Sequence, residues 1–206
     1  GLHGAFYAFR RALHRPLPVD TVNDDFALPM GLVERGWRVI YDPEIRALEL
    51  EASAASTDFR RRRRIGAGNL QQSLRHWRLL DPRRPGVALA YASGKGLRPL
   101  TPFAMAAALG GSLALAPGSA VFAAAAAGQA LVWLAAAAVA IRPEAGWPAP
   151  LRALHYVAAA QLASGLGALD HLRDRLAGRR PGPWARVSVA PATPAPLSLS
   201  RIPNGR

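Results

Sequence analysis

Two short stretches of this chain carry side chains that could do chemistry. The first is Asp24-Asp25, set just after Thr21-Val22-Asn23. A carboxylate at a helix start is ionised at neutral pH and can take a proton from a hydroxyl nucleophile, which is general-base work. The same pair also reads as capping acids that suit a helix dipole, with Asn23 or Asp24 as the N-cap. The second stretch is Arg60 to Arg64, an unbroken run of five. Adjacent guanidinium groups repel one another, and each matches phosphate oxygens bidentately. Their partner is a diphosphate leaving group, a phospholipid headgroup or a nucleic acid. Nucleic acid fits least, because aromatic residues are sparse among the arginines and the apolar runs have no place in such a module.

Other chemistry is absent. There is no cysteine, hence no disulfide framework and no thiolate metal site. The five histidines (His3, His14, His76, His155 and His171) have no ligand spacing. Neither an Asp-x-Asp nor a Gly-rich phosphate loop occurs, so no metal ligand is expected in this chain.

The elements around the two stretches read as follows. Residues 4–9 have the aromatic content of a buried strand, and Pro16 and Pro18 make 14–20 a loop. A short or kinked helix, weakened by Pro29 and Gly31, runs from Thr21 to Gly36. Trp37 to Tyr41 predicts a second strand, Asp42-Pro43 a turn, and 45–51 either strand or helix. Strand, helix, strand in this order predicts an α/β domain. A helix is expected over 59–80, started by Asp58. It would carry Arg on one side and Ile65, Leu70, Leu74, Trp77, Leu79 and Leu80 on the other, as an amphipathic helix does at a lipid headgroup layer.

The charge is uneven. The net +13 divides into −3 over 1–58, +10 over 59–102 and +6 over 103–206, and Lys95 is the single lysine among 26 basic residues. A mildly acidic portion, a basic segment and then apolar runs suggest a domain joined to a membrane surface and then to the membrane. Three runs are candidate crossings: about 102–117, 120–141 and 153–169, the last interrupted by His155 and Gln161. The middle run of 22 uncharged residues spans about 33 Å as a helix, enough for a hydrocarbon core of about 30 Å. The basic stretch 60–98 is expected to face the cytoplasm. Three crossings would then leave Arg173, Arg175, Arg179 and Arg180 on the opposite side, against the usual bias. Either one run is not a full crossing, with the third lying in the interface, or the tail breaks the rule.

Taken together, these pieces resemble the C-terminal half of a membrane-embedded, inverting family 2 glycosyltransferase, the group of the cellulose, chitin, hyaluronan and poly-N-acetylglucosamine synthases. His3-Gly4-Ala5 followed by Arg10-Arg11 resembles the small-residue strand beside the acceptor. Val22-Asn23-Asp24-Asp25 resembles the Thr-Glu-Asp element, and Trp37-Arg38-Val39-Ile40-Tyr41 also fits, eleven residues and a Gly36 further on. Arg61-Arg62-Arg63-Arg64-Ile65 falls where a Gln-x-x-Arg-Trp motif is expected, and Lys95 to Leu100 resembles the lead-in to the crossings. Trp184-Ala185-Arg186 resembles the closing tail.

The resemblance implies the acceptor-side part of a GT-A domain over 1–58, an interfacial basic helix and linker over 59–101, two to three transmembrane helices over 102–170 and a basic, Pro-rich tail over 171–206. It implies Asp25 as catalytic base, with Asp24, Gly4, Ala5, Arg61, Arg64 and Ile65 binding acceptor or donor. Ile65 stands where the synthases stack a Trp on the acceptor sugar, so a lipid or short glycan acceptor fits as well as a polymer. The acceptor hydroxyl would attack the anomeric carbon of a nucleotide sugar. A divalent metal, Mg or Mn, would serve the diphosphate from ligands outside this chain, so the chain alone is expected to be inactive. The expected setting is the cytoplasmic face of a bacterial inner membrane. The competing expectation is a non-catalytic adaptor that binds anionic lipid through 60–64.

Overall fold

The computed structural model describes residues 7–44 and 55–179, and all regular structure among them is helical. The expected α/β domain is therefore wrong: no strand or sheet occurs among the described residues. The reason lies in what a strand needs. Residues 37–41 have the β-branched and aromatic content of a strand, but strand N–H and C=O groups must find a neighbouring strand, and every element among the described residues is a helix. Ile40 and Tyr41 stand 77% and 83% exposed, so the end of that segment has little to pack against. The expected strand at 4–9 falls partly, and the segment 45–51 wholly, outside the described residues, as do Gly4, Ala5 and the tail beyond Arg179.

The first helix, α1 (Asp24–Glu34), starts where the acids suggested and runs through Pro29. Proline has no N–H for the carbonyl of Asp25, four residues back, so that carbonyl lacks its usual helix partner. Phe26, Ala27, Pro29 and Leu32 are buried. Asn23 holds the N-cap position but makes no capping bond with its side chain. The second helix, α2 (Ala55–Arg75), ends in a single 3-10 turn at Trp77–Leu80. A short α3 (Pro85–Tyr91) leads into a π turn at Ala92–Gly96, and Phe26, Leu79 and Tyr91 meet as a small apolar core between these elements.

Two apolar helices follow, α4 (Thr101–Leu115) and α5 (Ala120–Ile141), joined by a tight turn at Ala116–Gly118. Gln129 Nε2 donates to Ser112 Oγ at 3.3 Å and fixes them as an antiparallel hairpin. The packing is inverted relative to a water-soluble helix. Ala126, Ala136 and, at the open end, Val139 are buried while Val121, Phe122, Leu131, Leu134 and Ile141 are exposed. Small residues inside and large apolar residues outside is the arrangement a hydrocarbon solvent favours. Two stretches, Arg98–Gly118 and Ala120–Ile141, are long and apolar enough to cross a membrane. The third expected run is a different object. It belongs to α6 (Ala149–Leu176), a 28-residue helix that is not among the candidate crossings.

The tightest junction is between α2 and α6. A Cβ placed on Gly66 would lie 2.6 Å from Ser164 Cα and carbonyl oxygen, and one on Gly167 would collide with the Arg63 carbonyl. Only glycine lets the two backbones come this close. Ala163 and Ala168 are fully buried beside them.

Candidate functional site

Polar side chains rather than apolar ones dock α1 onto α2. Asn23 Nδ2 donates to the Ile65 carbonyl at 3.1 Å and to Asn69 Oδ1 at 2.9 Å. That is why its amide does not cap its own helix. Gln71 Oε1 accepts from the Val22 N–H at 3.1 Å, and Gln71 Nε2 donates to the Asp20 carbonyl at 2.8 Å. Gln72, wholly buried, donates to Gln71 Oε1 at 2.9 Å. At the end of the seam, Arg75 Nη2 meets Asp20 Oδ2 at 2.6 Å and Nη1 donates to Thr21 Oγ1 at 3.2 Å. Gly68 leaves room for Asn23, whose Cγ would lie 2.5 Å from a Cβ there. Residues 20–23 are thus held along α2, and Asp24 and Asp25 project just beyond them.

The result is a cleft of about 360 Å³ lined by Asp24 and Asp25 from α1, by Arg61, Arg64, Ile65 and Asn69 from α2, and by Lys95 and Arg98 from the π turn and the turn after it. Two carboxylates face four cations. Burial lowers the Arg64 pKa, Arg61 lowers it further, and the Asp24 charge works against both. Burial also lowers the Lys95 ammonium, with Asp25 opposing the shift and Arg98 adding to it. Lys95 Nζ sits 4.9 Å above the centre of the Phe26 ring, so its place beside Asp25 is set by packing. Tyr7 reaches the same neighbourhood: burial raises its phenol, and Asp24 and Asp25 raise it further.

The arginine run does not form one face. Five consecutive helical residues turn through more than a full circle at about 100° each, so they must divide. Arg61 and Arg64 point into the cleft. Arg62 bonds Asp58 Oδ2 at 2.5 Å and the Tyr156 hydroxyl, and lies 4.2 Å over the Tyr156 ring. Arg63 grips Asp170 of α6 with two bonds of 2.6 and 2.8 Å. The expected helix with arginine on one side and an apolar stripe on the other is replaced by a helix with a cationic face toward the cleft and a small-residue face on α6.

Of the residues expected at the site, Asp24, Asp25, Arg61, Arg64 and Ile65 come together, although Asp25 and Arg61 are 36 positions apart in the chain. Gly4 and Ala5 lie outside the described residues. Sequence reasoning missed Lys95, Arg98 and Asn69 as walls of the cleft. Its one available signal was the lone lysine in an otherwise arginine-only chain. His76, read as an ordinary histidine, has Nδ1 3.0 Å from Glu34 Oε1.

No group of three or more His, Asp or Glu side chains that could hold a metal ion occurs among the described residues. Asp24 and Asp25, ringed by four cations, do not fit a divalent cation either. Such a cleft suits an anion lying across the cations, with a carboxylate left over to accept a proton. Compared with protein-family models, curated proteins and solved structures, the chain finds no match.

Proposed function

We propose that this chain is the acceptor-side part of an inverting glycosyltransferase working at the cytoplasmic face of a bacterial inner membrane, on a lipid or glycan hydroxyl. The observation that supports this reading is the single cleft holding Asp24 and Asp25 opposite Arg61, Arg64, Lys95 and Arg98. Direct displacement at an anomeric carbon needs those two functions side by side. One carboxylate removes the proton of the attacking hydroxyl, and fixed positive charge stabilises the departing diphosphate.

In this reading Asp25 is the base. It is half-buried, faces Lys95 across the cleft and stands in the first turn of α1, which fixes where the carboxylate sits. Arg64 and Arg61 are one turn apart on α2 and bridge two phosphate groups. Asp24, more exposed, orders the acceptor by hydrogen bonds. We assign no residue of this chain to a metal. The adaptor reading is weaker, because Arg62 and Arg63 are engaged with Asp58, Tyr156 and Asp170 and are not a free lipid-binding patch.

The test is a transfer assay on membranes holding the complete enzyme. Asp25→Asn is expected to cost about 10²–10⁴-fold in turnover with donor binding nearly intact. Arg64→Ala is expected to weaken the binding of inorganic pyrophosphate, read by titration calorimetry. Turnover at the wild-type rate in Asp25→Asn would remove that carboxylate from the chemistry.

A further inference from the structure

The last helix meets the apolar hairpin at one end only. The Ser112–Gln129 pairing sets the hairpin register and puts Pro102 about level with Val139. On α6, His155 Nδ1 lies 3.0 Å from the Ala136 carbonyl oxygen, and a Cβ on Gly165 would lie 3.1 Å from Pro102 Cβ. From His155 to Gly165, α6 travels about 15 Å. Its two points of contact differ by only three residues of α5, about 5 Å along the hairpin. A helix crossing the bilayer beside α5 would have advanced the whole distance. Instead, α6 lies across the open end of the hairpin.

Its two faces are unlike. The face with Ala163, Ser164, Gly167 and Asp170 is covered by α2. Opposite, at helical spacing, run Leu162, Gly165, Leu169, Leu172 and Leu176. Pro102 covers Gly165, but the leucines at 162, 169, 172 and 176 remain 52%, 42%, 39% and 88% exposed. This open stripe continues the side on which the hairpin departs. Arg173 and Arg175 fall on its two borders, where long cationic side chains reach from an apolar surface to headgroups.

We propose that α6 is an in-plane membrane helix whose leucine stripe is seated at the headgroup–acyl boundary of the bilayer that α4 and α5 cross, with anionic lipid against Arg173 and Arg175. The charge pattern argues the same way independently. Two crossings return the chain to the side it left, so Arg173, Arg175 and Arg179 share a side with the basic stretch 60–98, as positive residues do. Three crossings would separate them. The proposal rests on the two candidate crossings and not on the transfer chemistry, so each can fail without the other.

The chain contains no cysteine, which makes site-directed spin labelling direct. Nitroxides are placed one at a time at Leu162→Cys, Leu169→Cys, Leu172→Cys and Leu176→Cys, with Leu131→Cys on α5 as a deep reference. The labelled full chain is reconstituted in phosphatidylcholine–phosphatidylglycerol vesicles. Collision with oxygen and with a water-soluble nickel chelate then gives each depth. All four α6 labels are expected to favour oxygen and to share one shallow depth, well above the 131 label. Depths that step steadily from 162 to 176, over roughly 20 Å, would make α6 a third crossing and overturn the proposal. Dominant nickel collisions at all four would place the stripe in water. Dipolar broadening between labels on separate chains would mean that a second copy covers it. Either result also overturns it.

Discussion

Asn23 shows how much one amide can decide. Its side chain ties the first turn of α1 to Ile65 and Asn69 and leaves its own helix uncapped, so it positions the two acids at the expense of a local bond. Asn23→Ala would leave the Asn69 oxygen without its Asn23 donor inside the seam. We expect a loss of about 1–3 kcal/mol in unfolding free energy, read by chemical denaturation in detergent, and a fall in pyrophosphate affinity as the cleft loosens. Tyr91 gives a separate, pH-based outcome. Burial, with the Glu34 charge adding to it and Ser73 opposing it, pushes its phenol from 10.0 up to about 12. A group raised in the folded state contributes stability that is whole below pH 10 and is lost as the pH climbs from 10 through about 12. Tyr91→Phe should flatten that alkaline decline in a melting-temperature profile. At this scale the site was half legible. Asp24 with Asp25, and Arg61 with Arg64, announce themselves as neighbours or as one turn of helix. Lys95 and Arg98 do not, because a π turn and a 3-10 turn bring them in and no periodicity encodes those.

Among the elements, α2 is the one on which everything else is hung. It carries the cleft's arginines on one face and receives α6 on the other through Gly66 and Gly167. Gly167→Ala forces a methyl into the backbone of Arg63, where no flexible side chain can give way. A loss of several kcal/mol or failure to fold is expected, by thermal unfolding. Gly110→Ala, in open space on α4, should be neutral or should stabilise by about 0.5–1 kcal/mol. The contrast between the two variants tests the close approach and not glycine chemistry in general. Helices were readable from the sequence, since Asp24 opens α1 and the Ala-rich runs sustain theirs, although α2 begins at Ala55, ahead of the expected start at Asp58, and ends at Arg75. Strands were not. Residues 37–41 have the right side chains, but pairing is decided by what stands alongside, and local composition holds no record of that.

For the molecule as a whole, α6 packs between the open end of the hairpin and α2, while the turn Arg98–Leu100 touches α2 directly and brings the start of α4 to the cleft. The two candidate crossings were legible because a long uncharged run stands out in the sequence. The third run left two readings open, crossing or interfacial, because apolar length alone does not separate a helix that crosses from one that lies flat. The distinction comes from Gly165 meeting Pro102 and not a residue half-way along α5. Arg98 has a double place in this stack, as a wall of the cleft and as the first residue of the stretch Arg98–Gly118. The lip of the pocket is therefore also the start of the first candidate crossing. On the proposed reading, a lipid acceptor anchored among the headgroups would reach it by sliding sideways, and its abundance there would be counted per unit area instead of per unit volume. Diluting such an acceptor with inert phospholipid, at fixed bulk amount, should slow turnover in proportion to its mole fraction. Adding empty vesicles that do not exchange lipid should leave the rate unchanged.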